Sequence, residues 1–136
     1  MFVIDASVAV KWFIEERDSP TALQLKNDHS RGKITLLAPD LFIYEVTNAI
    51  LSSNLFTLDE RKRCLRDLYE LEIDLINPSI DLMLPTLEIA SSKKISIYDA
   101  SYVILAKEFD IKLVTADEKL YTSVKDLRCV ELLSVI

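Results

Sequence analysis

The chain has 136 residues, a formal charge of −6, half of its residues hydrophobic and 28% charged, with one glycine, one histidine and two cysteines. That length buries a core as one domain, residues 1–136, without disulfides or other staples. The composition excludes a disulfide framework and a cysteine-paired zinc site, since Cys64 and Cys129 share no metal-ligand spacing. With Gly32 alone it also excludes the glycine-rich loops through which nucleotide-dependent α/β enzymes bring backbone N–H groups to a phosphate.

Residues 2–5 read as a first strand ending at Asp5, and Ala6 to Ile14 as a short buried helix. Ser19-Pro20 predicts an N-cap followed by Pro at the first helical position, and Gly32 a stop, so that 20–31 form a helix. His29 falls in the polar stretch Lys26–Arg31 and reads as part of a solvated helix end. Ile34 to Leu37 is a β run. Pro39-Asp40 opens a helix reaching Asn54, and Thr57-Leu58-Asp59-Glu60 is a capping-box start for the next, reaching Leu71, so the two predict a helical hairpin. A strand at 72–76 and a helix at 80–92 follow, and Ser96-Ile97-Tyr98-Asp99 is a second capping-box signal, for a helix to Phe109. Lys112–Thr115 is a strand, Asp117 opens a short helix containing Leu120 and Tyr121, and Cys129–Leu133 ends the series. Strands alternating with helices predict a parallel sheet sandwiched by helices, a three-layer α/β/α fold. The apolar runs are too short to cross a membrane, and the N-terminal residues lack the basic flank and cleavage site of a signal peptide, so a cytoplasmic protein is expected.

Four acids stand where a lone carboxylate is hard to explain. Asp5 closes Met1-Phe2-Val3-Ile4, Glu45 interrupts the apolar helix Leu41–Ile50, Asp99 follows Ile97-Tyr98, and Asp117 follows Leu113-Val114-Thr115-Ala116. Burying an ionised carboxylate costs several kcal/mol unless a cation or hydrogen-bond donors compensate. In an open parallel sheet the carboxyl ends of the strands form the ligand-binding edge, and Asp5 and Asp117 sit at or just past two such ends. On the third helix Leu41, Glu45 and Asn48 share a face, whereas Phe42, Val46, Ala49 and Ile50 form the apolar stripe. Oxygen donors without imidazole or thiolate suit Mg²⁺ or Mn²⁺, and one or two such ions stabilise in-line displacement at a phosphodiester. Each acid also has a local explanation: a strand-end acceptor, an ion-pair partner, half of a capping box or an N-cap. Their joint occurrence carries more weight than any one. The acidic balance argues against nucleic acid as a partner, but with four charges assigned to bound metal it falls from −6 to −2.

Val3-Ile4-Asp5-Ala6-Ser7, Pro39-Asp40-Leu41 with Tyr44–Ile50, Ile97–Tyr102, and Leu113–Asp117 with Leu120 resemble, in order, the four signature segments of PIN-domain ribonucleases, and the chain's size is similar to that of VapC toxins. The resemblance implies that Asp5, Glu45, Asp99 and Asp117 are the catalytic, metal-binding acids, supported by Ser7, Asn48 and Thr115. It further implies Mg²⁺- or Mn²⁺-dependent endonucleolytic cleavage of RNA, tRNA or rRNA for the toxins, by a homodimer held inactive by a small antitoxin. Glu118 is the one further acid near the last Asp that bears on a second metal position. The hairpin over 40–71 is the expected surface for protein partners, and Arg61, Lys62, Arg63 and Arg66 are candidates for RNA phosphates.

Two other functions fit a small acidic α/β chain. A non-catalytic PIN-like module binding RNA or a partner differs from the nuclease only in showing no metal-dependent cleavage. A phosphoryl-accepting receiver domain needs an acidic pair after the first strand, and Asp5 has no acidic neighbour.

Overall fold

The computed structural model describes residues 1–136. Five strands, β1 (Phe2–Ile4), β2 (Leu36–Pro39), β3 (Asp74–Ile76), β4 (Lys112–Thr115) and β5 (Val130–Leu132), form one all-parallel sheet in the order β3-β2-β1-β4-β5. Seven helices flank it: α1 (Ala6–Ala9), α2 (Ser19–Ser30), α3 (Leu41–Ser52), α4 (Leu58–Glu70), α5 (Ile80–Lys93), α6 (Ile97–Glu108) and α7 (Glu118–Val124). This is the α/β/α sandwich that the alternation of strand and helix signals predicts. Central strands covered on both faces carry unbroken apolar side chains, and Val3, Ile4, Leu36, Leu37, Leu113 and Val114 are fully buried. Over them lies α6, whose Ala100 and Tyr102 to Ala106 are buried and which packs across β1, β2 and β4.

The chain builds outward from β1 to β2 and β3, then crosses to the other side of β1 for β4 and β5. Strand order therefore reverses between β1 and β4, and adjacent crossovers leave in opposite directions there, which opens a crevice at the carboxyl edge. The register pairs Ile4 with Val114, so the next residues, Asp5 and Thr115, stand level at that edge.

Several boundaries differ from the sequence reading. The helix expected over 20–31 begins at Ser19, after Asp18 in the left-handed region (φ 65°), because the Ser19 hydroxyl is drawn back to accept the Glu16 N–H instead of capping. The β runs expected at 34–37 and 72–76 are β2 at Leu36–Pro39 and β3 at Asp74–Ile76. Partner strands set those limits: β3 aligns Asp74 with Leu37 and Ile76 with Pro39, and Glu72 at φ 52° turns the chain into β3.

His29 corrects the reading of a solvated helix end. Its Nδ1 accepts the Leu36 N–H at 3.1 Å and its Nε2 lies 2.7 Å from the Leu71 carbonyl, so it bridges the start of β2 to the end of α4. Accepting at Nδ1 leaves the proton on Nε2 to be donated to Leu71, which fixes one tautomer. The one imidazole of the chain is thus a half-buried structural bridge.

Candidate active site

Asp5 follows β1 directly and is only 7% exposed. Both of its oxygens are taken by hydroxyls: Ser7 Oγ donates to Oδ1 and Thr115 Oγ1 to Oδ2, each at 2.5 Å. Those hydroxyls in turn accept backbone N–H groups of the β4–α7 loop, Ser7 from Ala116 at 2.9 Å and Thr115 from Asp117 at 3.0 Å. Each hydroxyl has one proton, so accepting from an N–H aims that proton at Asp5. The network stitches the end of β1 to the end of β4 with the carboxylate in the middle. Burial nevertheless dominates: it lifts Asp5 from the usual carboxylate range to about 6, against the downward pull of the Ser7, Thr115 and Val8 hydrogen bonds, and the Asp117 charge adds a smaller upward push.

Asp117 is the N-cap of α7, with Oδ1 accepting the Leu120 N–H at 3.0 Å. One oxygen holds the helix and the other is unused by the protein. Asp99 lies in the first turn of α6, where its N–H donates to Ser96 Oγ at 3.0 Å. Its carboxylate does not return to the Ser96 N–H, so the expected capping box is only half made. Burial, and after it the Asp117 charge, raises the Asp99 pKa, opposed by the Ser96 hydrogen bond and by Lys119. Glu45, on α3, accepts the Tyr102 hydroxyl through Oε1 at 2.5 Å. The Tyr102 pKa is pushed far above the ordinary tyrosine value, by burial first, then by the Glu45 hydrogen bond and the charges of Glu45, Asp5 and Asp99. That phenol remains a neutral donor.

The four acids therefore share one electrostatic neighbourhood at the switch point, and none of them is in a salt bridge: the ion pairs of the chain are Arg17–Asp18 and Lys93–Asp126. No three carboxylates stand close enough to form a finished coordination sphere. An all-oxygen donor set around a buried carboxylate that has hydroxyl donors but no cationic partner fits a hard divalent cation.

Of the supporting residues named from sequence, Ser7 and Thr115 touch Asp5, whereas Asn48 is exposed and makes no side-chain hydrogen bond. Glu118 is exposed at the start of α7. Lys62, Arg63 and Arg66 are exposed, but Arg61 is half-buried and donates to the Ser53 carbonyl at 2.9 Å, tying α4 to the end of α3. Tyr102 is the residue that sequence reasoning overlooked. A phenol inside the buried run Ala100–Ala106, one turn beyond Asp99, needs a polar partner, and that requirement was the available signal.

A five-stranded parallel sandwich with a buried acid at its switch point defines a class of α/β protein built to act at that edge. The sequence matches the PIN domain family over residues 2–125, and the chain belongs to that family, whose members are nucleases. No curated protein matches the chain. Among solved structures, PAE2754 from Pyrobaculum aerophilum is similar over 98% of this chain and 91% of its own, at 23% identity and a TM-score of 0.68. A toxin–antitoxin complex from Klebsiella pneumoniae is similar over 98% of both chains at 15% identity and a TM-score of 0.73. VapC20 of Mycobacterium tuberculosis, a sarcin–ricin-loop-cleaving toxin, is similar over 90% of this chain and 95% of its own, at 11% identity and a TM-score of 0.66. At these identities the likeness is one of fold.

Proposed function

We propose that the protein is a divalent-metal-dependent endoribonuclease and the toxin of a type II toxin–antitoxin pair, acting in the cytoplasm. The observation that carries this reading is Asp5: a buried carboxylate with both oxygens fixed by hydroxyls, facing other acids and paired with no cation. Asp5, Glu45, Asp99 and Asp117 would hold Mg²⁺ or Mn²⁺. When bound, such an ion supplies positive charge against the phosphodiester and makes water a better nucleophile. Ser7 and Thr115 keep Asp5 oriented through the backbone of the β4–α7 loop, and Asp117 offers its second oxygen while its first holds α7. Asn48 has the least support as a helper. Lys62, Arg63 and Arg66 are left to meet RNA phosphates, Arg61 being engaged within the hairpin.

Family membership and a fold neighbour solved as a toxin–antitoxin complex support an antitoxin partner. Tyr44, Leu51, Leu55 and Leu58, exposed along α3 and the start of α4, offer an apolar surface to an antitoxin or to a second copy in a homodimer.

The test is cleavage of structured and single-stranded RNAs, tRNA and rRNA fragments included, with Mg²⁺ or Mn²⁺. Chelator should abolish activity, and each Asp→Asn or Glu→Gln change should cut it by orders of magnitude. Activity that persists in chelator sinks the assignment. One observation favours the other reading, a PIN-like module that binds without cleaving: no three acids are preassembled. Metal-dependent cleavage of RNA by the wild type separates the two.

A further inference from the structure

We propose that Tyr102 is a positioning residue of the acidic site: its phenol engages Glu45 Oε1 and leaves Oε2 free to hold a divalent cation. The proposal rests on the metal-nuclease reading above. A glutamate has three rotatable side-chain bonds, and Glu45 has no salt bridge and no other hydrogen bond in the protein, so Tyr102 is the one polar partner that holds it. The bond joins a phenol donor to a carboxylate oxygen, a stronger kind of side-chain contact than one between two neutral groups.

The donor is itself buried. Tyr102 is 2% exposed, has only two side-chain torsions, and sits in the buried stretch of α6 that packs across β1, β2 and β4. It follows Asp99 by three residues, and residues at that spacing lie on one face of a helix. One rigid helix therefore carries an acid of the site and the group that orients a second acid from α3. Their separation is set by helix geometry, with one flexible side chain removed from the problem.

The bland account runs the other way: Glu45 is there to satisfy a buried phenol. The two differ in what depends on Tyr102, stability alone or metal affinity. The experiment is calorimetric titration of MnCl₂ into wild type, Tyr102→Phe, Glu45→Gln and the double variant. Melting in chelator verifies that each is folded, since Phe preserves the ring.

Loss of a group that orients a ligand typically costs tenfold or more in metal affinity, so Tyr102→Phe should weaken Mn²⁺ binding on the order of tenfold. In the Glu45→Gln background the same change should cost less than about twofold, because the carboxylate it directs is gone. The Mn²⁺ concentration for half-maximal RNA cleavage should rise by the same factor in Tyr102→Phe, with the rate at saturating metal near wild type. Equal Mn²⁺ affinity in wild type and Tyr102→Phe overturns the proposal and leaves the nuclease reading standing. An equal loss in both backgrounds also overturns it, as a merely structural effect. A wild type that binds no Mn²⁺ overturns the metal reading itself, and this role with it.

Discussion

The helices α4 and α6 begin with the same kind of signal, a hydroxyl residue followed three positions later by an acid, yet the two acids have different fates. At α4 the box closes: Thr57 Oγ1 accepts the Glu60 N–H at 3.2 Å and Glu60 Oε1 accepts the Thr57 N–H at 3.0 Å. Those hydrogen bonds hold Glu60 below the usual glutamate range, and its charge is spent on the helix end. At α6 the hydroxyl half forms, but Asp99, one methylene shorter, does not reach back, and its pKa is raised by burial and Asp117. The lesson is that the motif marks where a helix starts. Whether its acid is consumed there depends on reach and on what lies above the helix end.

The widest separation between the two acids should appear in chemistry. Asp99→Asn should lower RNA cleavage at saturating Mn²⁺ by at least about a hundredfold, as should Asp5→Asn, whereas Glu60→Gln should change it less than about twofold. Comparable losses in single-turnover cleavage would erase the distinction.

Next in size is a pH effect centred on Asp5. Its folded pKa, about 6, lies above the 3.8 of an ordinary aspartate, so between these values the folded chain binds more protons than the unfolded one. In chelator, stability should therefore fall as pH rises from about 4 to about 6, by an amount on the order of 3 kcal/mol from this group. Protons and cation compete for the same carboxylate, so Mn²⁺ affinity should weaken as pH drops through about 6. Denaturant melts at several pH values, with chelator and with saturating Mn²⁺, check both: the downward slope should flatten with metal.

His29→Ala should leave cleavage within about twofold, since no proton transfer is assigned to it, and should cost about 1–3 kcal/mol of stability by leaving the Leu36 N–H and Leu71 carbonyl unpartnered. An intact melting temperature would dismiss the bridge; lost cleavage in a folded variant would reopen the mechanism.

The smallest effect returns to the helix ends. Thr57→Ala should cost about 1 kcal/mol, the usual loss for an N-cap. Asp99→Asn in chelator should leave the melting temperature unchanged or higher, because it relieves repulsion with Asp117 and sacrifices no cap. A large drop for Asp99→Asn would mean that its carboxylate serves the helix after all.

Element order, helix starts and the four suspicious acids were legible in the sequence because they are local: hydrophobic period, capping residues and an acid ending an apolar run need no partner to be seen. Strand limits were less legible, since β2 and β3 end where their neighbours stop pairing. Tertiary structure decided the rest. The parallel register of β1 with β4 sets Thr115 beside Asp5, and through Ser7 and the next loop it ties Asp5 to the backbone around Asp117. Across 57 positions of chain, α6 brings Tyr102 to Glu45. His29, reading as solvated by its polar neighbours, is half-buried because α4 ends against it. A side chain's hydrogen-bond partner is set by distance in space, and for these residues the partners lie far away along the chain.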